Sequence, residues 1–238
     1  MRMVGGPHPQ SVSITAGPVL VCHRGASALA PENSLEAFRI AMQHGVDFSE
    51  LDVHVSADGD LVVTHDAVSD PTAERALPRL RDVLDLVRDR MGVYVELKGA
   101  HTGIALGDLI RQGIAEGVTL ISGSFTLELV DELRQHAPDV PRSILFNTTW
   151  RDRTAAMISA CRDYGVTYAH PCFRPIEPSL IEAMHQAGLL IMTPHTNDAS
   201  EARHFAEIGV DVIASDDPRI LSSLARRSTN RTGAAGPS

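Results

Sequence analysis

A parallel (β/α)₈ barrel, the TIM architecture, is the fold class this sequence predicts, on three observations. Short apolar runs rich in Val, Ile and Leu alternate with longer amphipathic segments through the middle of the chain. The connections between them are short and carry Gly, Pro, Asn and Asp. Counted through, the alternation makes eight strand-then-helix units in a chain of 238 residues, a length at which such a barrel forms one domain.

Residues 19–23 read as the first strand and 33–44 as the first helix, with Asn33 as N-cap, Glu36 as its reciprocal partner and Gly45 as the stop. Residues 48–55 make the second strand. The segment 61–65 follows the Asp58-Gly59 turn so closely that it must run back antiparallel. It is therefore an arm on the rim rather than a ninth barrel strand. Helix 80–90, strand 93–97, helix 104–116, strand 119–124 and helix 127–137 follow. The series continues with strand 142–146, helix 152–164, strand 167–170 and helix 179–187. It closes with strand 189–193, helix 199–208, strand 211–215 and a last helix over 218–225. This places one barrel domain at 18–225, between a flexible Gly/Pro/Ser-rich segment at 1–17 and a disordered tail at 226–238.

Hydrophobic content of 43% with 21% charged residues is ordinary for a globular chain. A net charge of -9 argues against sequence-independent nucleic-acid binding, which needs a basic patch. It leaves room for a phosphate-bearing substrate, because a bound cation reverses the local sign. Cys22, Cys161 and Cys172 show no metal-binding spacing, and an odd, scattered set suits a reducing compartment. No stretch has the apolar core of a signal peptide or a membrane span, and no basic amphipathic helix suggests stable membrane association. The expectation is a cytoplasmic monomer or homodimer.

The chemistry gathers where strands end. A barrel of this kind forms its active site at the C-terminal ends of its strands. Side chains alternate along a strand, so Glu50 and Asp52 share a face with Phe48 and His54, while Leu51, Val53 and Val55 face the helices. The same rule groups Tyr94, Glu96 and Lys98. Glu50, Asp52 and Glu96 on inward faces repel one another unless Lys98 or a cation neutralises them. Oxygen ligands of this sort favour a hard divalent ion, Mg²⁺ or Ca²⁺. His23 ends the first strand, and Arg24 beside it suits a pair of phosphate oxygens. His65 ends the arm, where Asp66 can orient its ring or cap a turn. Two imidazoles across a phosphodiester can divide the proton transfers, one on the attacking group and one on the leaving alkoxide. Together these residues read as a metal-dependent phosphodiesterase.

Other residues admit two readings each. His195 can enter the site from the end of the seventh barrel strand or cap a loop. Trp150 can wall the mouth or pack half-buried. His54 can sit behind the metal residues or pack, and His170 is a rim residue. Asp216 and Asp217 are read as caps of the final helix, and Cys22 as a buried thiol facing the helices.

His23-Arg24-Gly25, Pro31-Glu32-Asn33-Ser34, Glu50-Leu51-Asp52-Val53, Asp58-Gly59, His65-Asp66 and Glu96-Leu97-Lys98 closely resemble the glycerophosphodiester phosphodiesterase family. Weaker likenesses at Ser124-Phe125, Thr196-Asn197, Gly209-Val210-Asp211 and Ser215-Asp216 extend the resemblance over about 19–221. It implies a TIM barrel that hydrolyses glycerophosphodiesters to glycerol 3-phosphate and an alcohol. It also implies His23 and His65 as the acid–base pair and Glu50, Asp52 and Glu96 as ligands of one divalent cation. Arg24 would hold phosphate, and Lys98 would support Glu96 and the phosphate.

Three departures bear on the substrate. The family's insertion of several dozen residues after the His-Asp motif, which helps recognise glycerol, is reduced here to a link at 67–78. Asp70 stands where a basic residue is common, and Pro194-His195-Thr196-Asn197 replaces an aromatic-Thr-Val-Asn pattern. A reduced lid predicts an open mouth and a bulkier or different alcohol. Two alternatives stay open: a sister phosphodiesterase acting on another diester or forming a cyclic phosphate, and a catalytically silent barrel that binds a phosphorylated metabolite.

Overall fold

The computed structural model describes residues 17–224, so the expectations for 1–16 and 226–238 lie outside the described residues. Strands β1 (Val19–Cys22), β2 (Phe48–Val55), β4 (Gly92–Leu97) and β5 (Leu120–Ser124) are joined by β6 (Arg142–Phe146), β7 (Tyr168–Pro171), β8 (Leu190–Ile191) and β9 (Val212–Ser215). These eight lie side by side in the order β8-β7-β6-β5-β4-β2-β1-β9, each parallel to its neighbour. A parallel bridge between Met192 and Val212 brings the two ends together into a nearly closed barrel. The expected rim arm is β3 (Leu61–Val63), antiparallel to β2 with Val53 opposite Val63.

The helices are α1 (Leu35–Gln43), α2 (Pro71–Arg75), α3 (Leu80–Val87), α4 (Thr102–Arg111), α5 (Leu127–His136), α6 (Thr154–Asp163), α7 (Pro178–Gln186), α8 (Ala199–Glu207) and α9 (Pro218–Ser222). Two of them correct the sequence reading. The N-cap of the first helix is Ser34, whose Oγ accepts from the Ala37 N–H at 3.1 Å, while Asn33 lies one residue outside with φ +56°. The link after the His-Asp motif holds the short α2, and Asp70 is its N-cap, accepting from the Thr72 N–H at 3.0 Å. An acidic residue there does helix-capping work.

Alternation along each strand divides the core into two layers. Leu51, Val53, Val93, Val95, Ile144 and Phe146 face outward into the packing between sheet and helices. Val19, Val21, Phe48, Tyr94, Ile121, Leu145, Tyr168, Met192 and Val212 fill the barrel's interior. Tyr94 crosses that interior and its Oη lies 2.8 Å from Ser143 Oγ. Only a glycine fits beside this pair: a Cβ at Gly123 would lie 1.9 Å from Ser143 Oγ and 2.8 Å from Tyr94 Oη. Gly123→Ala is expected to lower stability by about 1–3 kcal/mol, read as a shift in the denaturant midpoint at unchanged slope. No helix among the described residues is long and apolar enough to cross a membrane.

Candidate active site

Inward positions at the C-terminal ends of the strands carry charge instead of apolar side chains. The register of β2 against β4 sets Glu50 opposite Tyr94 and Asp52 opposite Glu96. All three carboxylates are buried, at 5%, 1% and 8% exposure for Glu50, Asp52 and Glu96. One oxygen of each lies within 4.8 Å of the others.

The protein satisfies these carboxylates only in part. Glu50 Oε2 accepts the Arg24 N–H at 2.9 Å and Asp52 Oδ2 accepts from Asn33 Nδ2 at 3.0 Å. Lys98 Nζ lies 2.8 Å from Glu96 Oε1 and 3.2 Å from Asp52 Oδ1, an ion pair with each. Glu50 Oε1 is buried without any partner, and Asp52 Oδ1 and Glu96 Oε1 have Lys98 alone. Burial pushes the Glu50 pKa up to about 8 against the pull of His23, and it raises Glu96 against the pull of Lys98. Three converging buried carboxylates, offset by one ammonium and with Glu50 Oε1 unpartnered, fit a hard divalent cation.

The turn after β1 is wound left-handed at two consecutive residues, Arg24 at φ +56° and Gly25 at φ +75°. A Cβ on Gly25 would meet Ala37 Cβ at 2.7 Å, so this close approach to α1 excludes side chains. The strained Arg24 points its N–H at Glu50 and its guanidinium at two carboxylates. Its Nη1 donates to Glu32 at 3.0–3.1 Å and its Nε lies 3.2 Å from Asp52 Oδ2.

His23 continues the inward face of Val19 and Val21. Its Nδ1 lies 2.7 Å from Asp216 Oδ1, and its Nε2 lies 3.9 Å from Glu50 Oε2. Burial alone would depress the imidazole, but the hydrogen bond to Asp216 and the charge of Glu50 outweigh it and hold its pKa above the ordinary value. Asp216 was expected to cap the last helix; Asp217 does so, accepting from the Arg219 N–H at 2.9 Å. Asp216 instead follows the inward parity of Val212 and Ala214, with Asn197 Nδ2 donating to its Oδ2 at 2.6 Å. Although burial opposes it, the bonds from His23 and Asn197 hold the Asp216 carboxyl well below its usual range.

His65 ends the β3 arm half-exposed, its Nδ1 2.8 Å from Asp66 Oδ1. The ring of His54 props it, with Nε2 donating to the His65 carbonyl at 3.2 Å. His195 lies on the ring of His23, centroids 4.0 Å apart and planes 8° from parallel. Trp150 is not brought to this cluster. It packs edge-on against outward-facing Phe146 at 5.1 Å, with the Arg153 guanidinium over its ring.

His170 sits inside the mouth with both nitrogens engaged. Its Nε2 donates to the Thr193 carbonyl at 3.0 Å, which leaves Nδ1 to accept from Tyr94 Oη at 3.1 Å. Burial pushes its pKa down to about 4, so it is neutral. Sequence reasoning did not assign Asn33, Asn197 or Asp216 to the site. Strand parity was the signal for Asp216.

The chain is similar to known proteins in sequence and in fold. Residues 23–90 match the sequence profile of the glycerophosphoryl diester phosphodiesterase family. The chain is 28% identical over 250 residues to a glycerophosphodiester phosphodiesterase of Caldanaerobacter subterraneus subsp. tengcongensis, covering 88% of this chain and 98% of that one. It superposes with a TM-score of 0.70 on the crystal structure of a glycerophosphodiester phosphodiesterase from Agrobacterium tumefaciens, at 28% identity over 87% of this chain and 99% of that one. For the fold alone, a Thermotoga maritima glycerophosphodiester phosphodiesterase gives a TM-score of 0.74 at 22% identity, covering 88% and 99%. With its barrel, its inward carboxylates and its His-Arg-Gly turn, the chain is similar over most of its length to glycerophosphodiester phosphodiesterases.

Proposed function

We propose that this barrel hydrolyses glycerophosphodiesters to glycerol 3-phosphate and an alcohol, with one divalent cation, Mg²⁺ or Ca²⁺, held by Glu50, Asp52 and Glu96. The observation that carries the reading is the convergence of three buried carboxylates, with Glu50 Oε1 unpartnered, beside an imidazole fixed on Asp216. When bound, the cation draws negative charge off the phosphoryl oxygens.

His23 and His65 are the proton-transfer pair in this reading. Each has Nδ1 against a carboxylate, Asp216 and Asp66 respectively, which favours the tautomer that leaves Nε2 free, and His23 Nε2 faces Glu50 at 3.9 Å. One takes a proton from the attacking water; the other gives one to the leaving alkoxide. Arg24 presents the part of its guanidinium not engaged by Glu32 to the phosphate. Lys98 balances Glu96 and Asp52 and adds positive charge near the phosphoryl group. The cysteines Cys22, Cys161 and Cys172 are free, which suits a cytoplasmic setting.

The test is release of glycerol 3-phosphate from a panel of glycerophosphodiesters with Mg²⁺ or Ca²⁺ and with a chelator. Cation-dependent release that disappears in His23→Ala supports the reading. A cyclic phosphate product would assign the attacking hydroxyl to the substrate. No turnover of any diester, with binding retained, would leave a binding protein.

Asn33 supplies a further check. Its side chain bonds both the carboxylate and the main-chain N–H of Asp52, at 3.0 and 3.3 Å. Asn33→Ala is expected to weaken cation affinity by about 10–100-fold, measured by titration calorimetry.

A further inference from the structure

His195 has a place in the site that neither a phosphate contact nor a loop cap explains. Its ring covers one face of His23 almost in parallel, at 4.0 Å. Its own ring has only a long ion-pair contact to hold it there. Among the described residues its ring nitrogens make no hydrogen bond, and Asp216 Oδ2 is 4.0 Å from its Nε2.

The main chain holds it instead. Arg174 Nη2 donates to the His195 carbonyl at 2.9 Å while the same guanidinium is locked on both oxygens of Glu201, at 2.8 and 3.1 Å. One residue on, buried Thr196 donates its N–H to the Ala214 carbonyl at 2.8 Å, on the strand that leads into Asp216. A segment pinned at both sides thus lays a flat ring against the imidazole.

His23, His195 and Asp216 do not form a second cation site. An imidazole coordinates in its own plane, and two rings 8° from parallel cannot both aim a lone pair at one ion between them. The Nδ1 of His23 is also occupied by Asp216.

We propose that His195 is a positioning residue that acts through His23. A single hydrogen bond to Asp216 fixes one nitrogen of His23 but leaves the ring free to swing about that bond. An aromatic face laid along the ring removes that freedom and keeps Nε2 aimed at the phosphodiester. The face need not be an imidazole. This inference rests on His23 being a proton-transfer group, and its test has one arm that does not depend on activity.

In the first arm, His195→Ala, His195→Gln and His195→Phe are compared with the parent on bis(p-nitrophenyl) phosphate and on a glycerophosphodiester at saturating cation. Alanine and glutamine are expected to lower kcat by about tenfold with KM nearly constant, and phenylalanine to recover to within about threefold of the parent. A phenylalanine variant as slow as alanine, with a raised KM, would place the imidazole nitrogens on the substrate and overturn the proposal. So would an alanine variant as fast as the parent.

The second arm uses proton NMR on the cation-free protein. The Nδ1–H of His23, identified by its loss in His23→Gln, is expected as a slowly exchanging downfield signal in the parent and in His195→Phe. It is expected to broaden in His195→Ala. An equally sharp signal in all three overturns the proposal, whether or not the parent turns over any diester.

Discussion

Replacing His23 by glutamine is expected to lower kcat for phosphodiester hydrolysis by about 10²–10⁴-fold, with cation affinity close to that of the parent. Glutamine keeps much of the volume and retains an amide that can reach Asp216. It has no nitrogen that takes up and releases a proton. The carboxylates proposed to hold the cation keep their own partners, Arg24 N–H on Glu50 and Asn33 on Asp52. Asp216→Asn is expected to be slow for a related reason. An amide can offer N–H rather than oxygen to Nδ1, which moves the imidazole proton to Nε2 and inverts the tautomer. Since both changes disable one unit, the double variant should be about as slow as His23→Gln alone. Steady-state kinetics at saturating cation decide the matter. A glutamine variant retaining more than about a tenth of the parent kcat would remove His23 from the chemistry.

The same pair leaves a mark on stability. The Asp216 carboxyl is depressed in the folded chain, so its contribution is complete above its ordinary pKa of 3.8 and lost as pH falls through the lower folded value. The His23 imidazole is raised, so its contribution is complete below its ordinary 6.5 and lost as pH rises through the higher folded value. The stability gap between parent and His23→Gln should therefore be widest between those two values and narrow on either side.

Much of this site was legible in the sequence because it depends on parity. Glu50, Asp52, Glu96 and Lys98 are placed by alternation along strands whose apolar partners are unambiguous. Where a strand runs into a turn, parity competes with capping. Asp216 and Asp217 both look like helix caps, and only the continued inward face of Val212 and Ala214 separates them. Asn33 and Ser34 posed the same difficulty at α1. Either side chain can cap, and the left-handed backbone of Asn33 frees it for Asp52. The helix expected over 104–116 stops at Arg111 because Gly113 turns the chain at φ +77°. The stack of His195 on His23 was beyond reach of local reasoning. It depends on Arg174 and Glu201, which are 27 positions apart in sequence. Trp150 follows from a single 3-10 turn, Thr148–Trp150, that swings its ring outward onto Phe146.

Cation binding near pH 7 is expected to release about one proton, and the gain in Tm from added Mg²⁺ or Ca²⁺ should grow as pH rises toward 8. Burial pushes the Glu50 pKa up to about 8 in the cation-free protein against the pull of His23, so this carboxyl holds a proton far above the usual carboxylate range. It must ionise to act as a ligand. The apparent affinity should accordingly rise about tenfold per pH unit below that value and level off above it. Stability of the cation-free protein should move the opposite way. Between the ordinary 4.5 and about 8 the folded chain carries a proton that the unfolded chain has lost, so stability falls as pH rises. Titration calorimetry in buffers of different ionisation enthalpy counts the protons, and melting with a chelator or with cation tests the stability. A heat independent of buffer, with a Tm gain flat in pH, would sink the assignment of Glu50 as a ligand. The expected coupling follows from charge balance at the rim. Glu50, Asp52, Glu96 and Asp216 crowd against Lys98 and an Arg24 already shared with Glu32. The rim would therefore take up either protons or a cation, and a bound cation would add to the positive charge that Arg24 and Lys98 offer a phosphate.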